Sequence, residues 1–131
     1  MDRPQTLGEV RSFISREMTR LHSEYYGRGP TRVKTYITED LVAVSLEETF
    51  TRAERTLIER GEVEAIQNIR RRFQQQMKED FIAIIEQGTG RRVRAFLSET
   101  NLEVDVSMEI FLLAEERTDM SGFEKEEGGS A

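Results

Sequence analysis

Between Glu62 and Gln87 the apolar residues Ile66, Ile69, Phe73, Met77, Phe81 and Ile84 recur at three- and four-residue steps. That is the period of one stripe along an α-helix. At ~1.5 Å per residue such a helix runs roughly 39 Å, more than a four-stranded sheet alone can cover. Gly88-Thr89-Gly90 reads as its stop.

On either side of this helix the period changes to two. Upstream, Val33, Thr35 and Ile37 share one face, followed by Val42, Val44 and Leu46, with Glu39-Asp40 as a turn that lacks the glycine typical of tight hairpins. Downstream, Val93, Ala95 and Leu97 alternate with Arg92, Arg94 and Phe96. After a connection at Glu99–Leu102, Val104, Val106, Met108, Ile110 and Leu112 alternate with Asp105, Ser107, Glu109, Phe111 and Leu113. Two further helices are predicted. Thr6-Leu7-Gly8-Glu9 and Thr51-Arg52-Ala53-Glu54 both fit a capping box, in which hydroxyl and carboxylate satisfy the free amides of a helix start. The first helix carries Leu7, Val10, Ile14, Met18, Leu21 and Tyr25 on one stripe and ends near Tyr26, where Gly27 suits a left-handed residue and Pro30 prevents resumption. The second ends near Arg60 at Gly61.

The order α-β-β-α-α-β-β predicts an α+β fold, with helices packed on one face of a four-stranded, mostly antiparallel sheet. Residues 1–114 form the single domain expected, and 115–131 an acidic disordered tail. The tail holds six acids against Arg117 and Lys125, a net −4 of the total −6, which leaves only −2 for the rest of the chain. The outer sheet face is expected to show Lys34, Tyr36, Arg94, Phe96, Glu109 and Phe111 in some combination, and such a mixed face points to a homodimer. There is no cysteine, hence no disulfide, thiolate nucleophile or cysteine-ligated zinc. Without an apolar leader or a run of ~18 apolar residues, the chain reads as soluble and cytoplasmic, with no membrane span.

No catalytic constellation stands out, and no metal or cofactor is expected. Gly27-Arg28-Gly29-Pro30, with Arg32 nearby, has two readings. It is a helix stop with Arg28 capping free carbonyls at the negative end of the helix, or a ligand or partner site where glycine amides and the forked guanidinium meet an anion. Phosphate loops open helices, whereas this one closes a helix. Arg70-Arg71-Arg72 and Arg91-Arg92-x-Arg94 invite a nucleic-acid reading, but three consecutive helical residues point ~100° apart and acids dilute the field. Solvated or salt-bridged arginines are expected instead. His22, with Met18 and Tyr26 at four-residue reach, reads as a surface or boundary histidine. Glu103, Asp105 and Glu109 read as an exposed acidic strand face.

The run SREMTRLHSEYYGRGPTRVKTYITEDLVAVSLEETFTRAERTL, followed by RRRFQQQMKEDFIAIIEQGTGRRVRAFLSETNLEVDVSMEIFLL, resembles the MpsC family of small bacterial proteins over about residues 5–113. The most specific parts are Gly27-Arg28-Gly29-Pro30 with the preceding tyrosines, the helix start Phe50-Thr51-Arg52-Ala53-Glu54, and Thr89-Gly90-Arg91. Phe50 replaces the more usual leucine. The resemblance implies the third component of a sodium-translocating, membrane-potential-generating system. The other two components of that system are similar to an ion-pumping membrane subunit and to a zinc protein of carbonic-anhydrase type, and together take up inorganic carbon. It implies no reaction for the third component, and related domains also appear beside signalling modules. The expected function is a non-enzymatic accessory or regulatory protein that binds transport-complex subunits. The alternative is a sensor of a small anion at Gly27–Pro30, with nucleic-acid binding a more distant third.

Overall fold

The computed structural model describes residues 6–117. The element order is α1 (Leu7–Tyr26), β1 (Arg32–Thr38), β2 (Leu41–Glu47), α2 (Arg52–Glu59), α3 (Val63–Thr89), β3 (Arg91–Asn101) and β4 (Val106–Arg117). All three strand pairings are antiparallel, in the order β1-β2-β4-β3. The α+β architecture is as the periodicities predict. Strand β4 runs through Arg117, so 115–117 belong to the sheet rather than to the expected tail; the remainder of that tail lies outside the described residues.

Local chemistry sets the helix ends. Both capping boxes form: the Thr6 and Thr51 hydroxyls accept from the Glu9 and Glu54 amides, and each glutamate answers the threonine amide. Gly27 closes α1 with φ 82°, its amide donating to the Ser23 carbonyl at 2.9 Å. The stop of α3 differs from expectation. Gly88 lies inside the helix, and Gly90 alone, at φ 73°, ends it. Gly88 has another task, because a Cβ there would lie 3.0 Å from Phe13 Cδ2 and 3.3 Å from Ile14 Cγ1. The absence of a side chain lets α1 and α3 approach closely.

Helices α1 and α3 cover the inner sheet face. The core between them holds Ile14 and Met18 of α1, Met77, Phe81 and Ile85 of α3, and Val42, Val44, Leu46, Phe111 and Leu113 of the sheet. The stripe on α3 is rotated from the predicted one at a single position: Ile69 is exposed and Arg70 is buried in its place. Leu7, expected on the α1 stripe, is exposed.

The expected outer face also needs correction. Lys34 and Tyr36 do lie on it, but Phe111 and Glu109 are buried on the inner face, and Phe96 packs between Phe81 and Phe111. Two causes act. In β4 the row Ser107–Glu109–Phe111–Leu113 sits opposite Leu46, Val44 and Val42 of β2, so the polar-looking row faces the helices. In β3 an extra residue between Val93 and Ala95 forms a bulge, after which the parity reverses and Phe96 turns inward while Leu97 turns out. The outer face therefore carries a row of four apolar residues across all strands, Tyr36–Ala43–Ile110–Leu97.

Refilling the close approach tests its role. Gly88→Val is expected to lower stability by ~1–3 kcal/mol through overpacking against Phe13, read as a lower urea midpoint with an unchanged denaturant slope.

Candidate functional site

The chain between β2 and α2, Thr49-Phe50-Thr51, has no regular partner strand, and its polar groups are met by side chains from the surrounding elements. Asp105, in the β3–β4 turn, accepts from the Thr49 amide (2.9 Å), the Thr49 hydroxyl (3.1 Å) and the Phe50 amide (3.2 Å). Arg28 donates to the Phe50 carbonyl at 2.6 Å. Arg70 donates to the Thr49 hydroxyl and carbonyl at 3.0 and 3.1 Å, and forms a two-pronged ion pair with Glu54 at 2.8 and 2.7 Å. Its guanidinium carbon lies 4.4 Å from the Tyr26 ring centre and 5.1 Å from that of Phe50. His22 stacks on the Tyr26 ring at 4.5 Å. The cluster thus joins α1, the β2–α2 connection, α3 and the β3–β4 turn.

Burial sets its protonation states. Burial alone would push the Glu54 carboxyl up, but the hydrogen bonds from Arg70 and Thr51 and the charge of Arg70 hold it below the usual carboxylate range. His22 is lowered to about 4, first by burial and then by the nearby Arg70 charge. Glu109, on the inner sheet face, is raised to about 8 by burial. The Ser98 hydroxyl lies directly across in register and opposes that rise, but Glu109 Oε1 has no hydrogen-bond partner. At neutral pH both Glu109 and His22 are uncharged.

The residues singled out in the sequence separate into two directions. Gly27 is a helix stop, and Arg28 points inward to Phe50 rather than capping α1 carbonyls. Gly29 packs back on α1, where a Cβ would sit 3.4 Å from Thr19 Cγ2. Pro30 lines a groove of about 640 Å³ between α1 and the edge strand β1, and Arg32 is exposed at the start of that strand. Arg11, Arg16 and Lys34 also border the groove. Its floor is bridged by the Ser15 and Thr35 hydroxyls at 2.8 Å. Among the described residues none of these three cations forms an ion pair. The groove's signal in the sequence is the polar stripe Arg11, Ser12, Ser15, Arg16 and Thr19 at helical spacing, which by itself reads as an ordinary solvated helix face.

Other expectations are overturned. His22 is buried rather than a surface or boundary residue, because Tyr26 and the arginine cluster close over it. Asp105 and Glu109 do not form an exposed acidic face. Asp105 sits in the turn with φ 58° as an acceptor for backbone amides, and Glu109 faces the helices. Within the arginine runs, Arg70 is the buried ion-pair member while Arg71 and Arg72 are exposed. Arg91 ties the β1–β2 turn to β4, donating to the Glu39 carbonyl (3.1 Å), to Asp40 (2.6 Å) and to the Ala114 carbonyl. Among the described residues there is no group of three or more histidines and acids placed to hold a metal ion. No helix there is long and apolar enough to cross a membrane.

A one-sided, four-stranded α+β domain with a buried arginine cluster and an open cationic groove is the class of protein that this geometry defines. Residues 6–115 match the family described as Na+-translocating membrane potential-generating system (MpsC), and the chain belongs to that family. Neither a curated protein nor a solved structure gives a significant match.

Two outcomes follow. Arg28→Ala is expected to cost about 1.5 kcal/mol, the worth of a charge-assisted bond to a carbonyl, measured by urea unfolding. The pH profile has a definite sign. Glu109 binds its proton more tightly when folded, so its contribution is complete below its ordinary value of 4.5 and is lost as pH rises towards 8. His22 behaves oppositely: its contribution is complete above 6.5 and is lost as pH falls towards 4. The two cancel between 4.5 and 6.5, so the urea midpoint should fall from pH 6.5 to 8 in the wild type and stay level over that window in Glu109→Gln.

Proposed function

We propose that this protein is a non-enzymatic accessory component of a bacterial cation or inorganic-carbon transport system. It works in the cytoplasm by binding an acidic segment of a transport subunit in the α1–β1 groove. The observation that carries this reading is the set of uncompensated cations, Arg11, Arg16 and Lys34, around a groove on an edge strand. An extended segment can add to the free edge of β1 through its main chain, while its acids meet the cations. Membership of the MpsC family supplies the transport setting. In this reading Gly27, Gly29 and Pro30 shape one end of the groove, Arg32 flanks it, and Arg28 serves the fold.

The hydroxyls of Ser12, Thr19 and Thr31 along the same groove favour a second reading, a sensor of a small anion such as bicarbonate or phosphate. A ligand at ~100 Kd stabilises its protein by about 2.7 kcal/mol, so a thermal shift in bicarbonate or phosphate that disappears in Arg11→Glu/Arg16→Glu would favour the sensor.

For the accessory role, tagged protein is recovered from its own cells in mild detergent and its companions are identified by mass spectrometry. Wild type and Arg28→Ala are expected to retain the sodium-transport subunits, and Arg11→Glu/Arg16→Glu to lose them while keeping its helical circular dichroism. Retention by the charge-reversed variant would remove the groove from the reading. Deletion of the gene without effect on membrane potential or bicarbonate-dependent growth would remove the role itself.

A further inference from the structure

The inner sheet face is covered by α1 and α3, and the outer face by no element among the described residues. The row Tyr36–Ala43–Ile110–Leu97 crosses it, with Tyr36 48% and Leu97 56% exposed. On one side lies the row Thr38–Leu41–Leu112–Ala95, itself uncharged, with the exposed bulge residue Arg94 next to its β3 end. On the other lies Lys34–Ser45–Met108–Glu99, which is cationic at the β1 edge and anionic at the β3 edge. Lys34 lies along this face, its Nζ 5.2 Å from the Tyr36 ring centre. Within one chain Lys34 and Glu99 stand about 14 Å apart, three strand spacings, and do not pair.

This pattern is complementary to itself under one symmetry operation. A two-fold axis parallel to the strands reverses the strand order and keeps each row at its own level. We propose that the outer sheet face is the contact of a symmetric homodimer, in which such an axis sets Lys34 against the partner's Glu99 and Tyr36 against the partner's Leu97. Each charged contact then occurs twice, as an isologous interface requires. An axis across the strands would place Lys34 against the partner's Thr38 and leave it unmatched. The two sheets would stack ~10 Å apart with strands within about 30° of alignment, as in sandwiches. The face measures on the order of 600 Å² in projection from strand rise and spacing. Side-chain relief brings that near the ~800 Å² that each partner of a standard interface contributes. A second copy is thus the occupant that both the apolar row and the charge pattern fit, and the α1–β1 groove stays open on either subunit with Arg11 and Arg16 as its unpaired cations. The inference does not rest on the transport reading.

Sedimentation equilibrium of the full chain tests it. Wild type is expected to be a dimer at micromolar concentration. Leu97→Glu is expected to raise the dimer Kd roughly hundredfold by burying two carboxylates in the apolar row. Lys34→Glu is expected to raise it at least tenfold by opposing like charges. Lys34→Glu combined with Glu99→Lys is expected to restore it to within about threefold, which intramolecular pairing cannot do across the width of the sheet. All substituted positions are exposed, and circular dichroism checks that each variant folds. A monomeric wild type overturns the proposal, as does Leu97→Glu with wild-type affinity. A swapped pair no tighter than Lys34→Glu alone overturns the proposed axis.

Discussion

The ion pair between Arg70 and Glu54 is the interaction on which the arrangement of elements depends. Both side chains are almost fully buried, and a buried charge is tolerated only when it is paired and its remaining donors are met. Arg70 meets that condition by giving two bonds to Glu54 and two to Thr49, with the Tyr26 and Phe50 rings against its plane. Glu54 in turn caps α2 through Thr51. One guanidinium therefore fixes the position of α2 relative to α3 and holds the connecting segment in a single path. Hydrophobic burial alone is non-directional and would leave α2, which buries little else, free to slide.

Three arginines of this chain share a task. Arg28, Arg70 and Arg91 each donate to main-chain carbonyls in irregular segments, at Phe50, Thr49 and Glu39 respectively. A planar donor fork suits carbonyls that no strand or helix satisfies. Basic residues that look like a nucleic-acid footprint in the sequence are thus partly consumed by the fold. Three of the cations that remain outward, Arg11, Arg16 and Lys34, come from α1 and β1 and are separated in the sequence by the turn that brings them together.

The fold was legible because periodicity reports which face is apolar, and the capping boxes and left-handed glycines are local events. Both Thr-x-x-Glu motifs and Gly27 act as their neighbours dictate, with no long-range information needed. What stayed hidden depends on contacts between distant residues. Arg70 displaces Ile69 from the interior only because Glu54 and Thr49 wait for it. Asp105 leaves the strand pattern because the Thr49 and Phe50 amides need an acceptor. Glu109 enters the interior because Phe111 and Leu113, two and four positions along, carry that row with them. The candidate site was half visible: Pro30 marks its end, whereas its walls come from a helix face that reads as ordinary solvent-exposed polarity.

The bulge near Arg94 also decides what sort of surface this protein offers to others. Upstream of it Val93 points to the helices; beyond it Phe96 does, and Leu97 points away. Without the bulge the same residues, alternating plainly from Val93, would exchange the roles of Phe96 and Leu97. The aromatic ring would leave its stack with Phe111, and the outermost member of the exposed row would change from a leucine to a phenylalanine. One extra residue in the pairing thus decides which side chains are interior and which exterior, so the face that β3 offers to a partner is set by the backbone irregularity and not by composition alone.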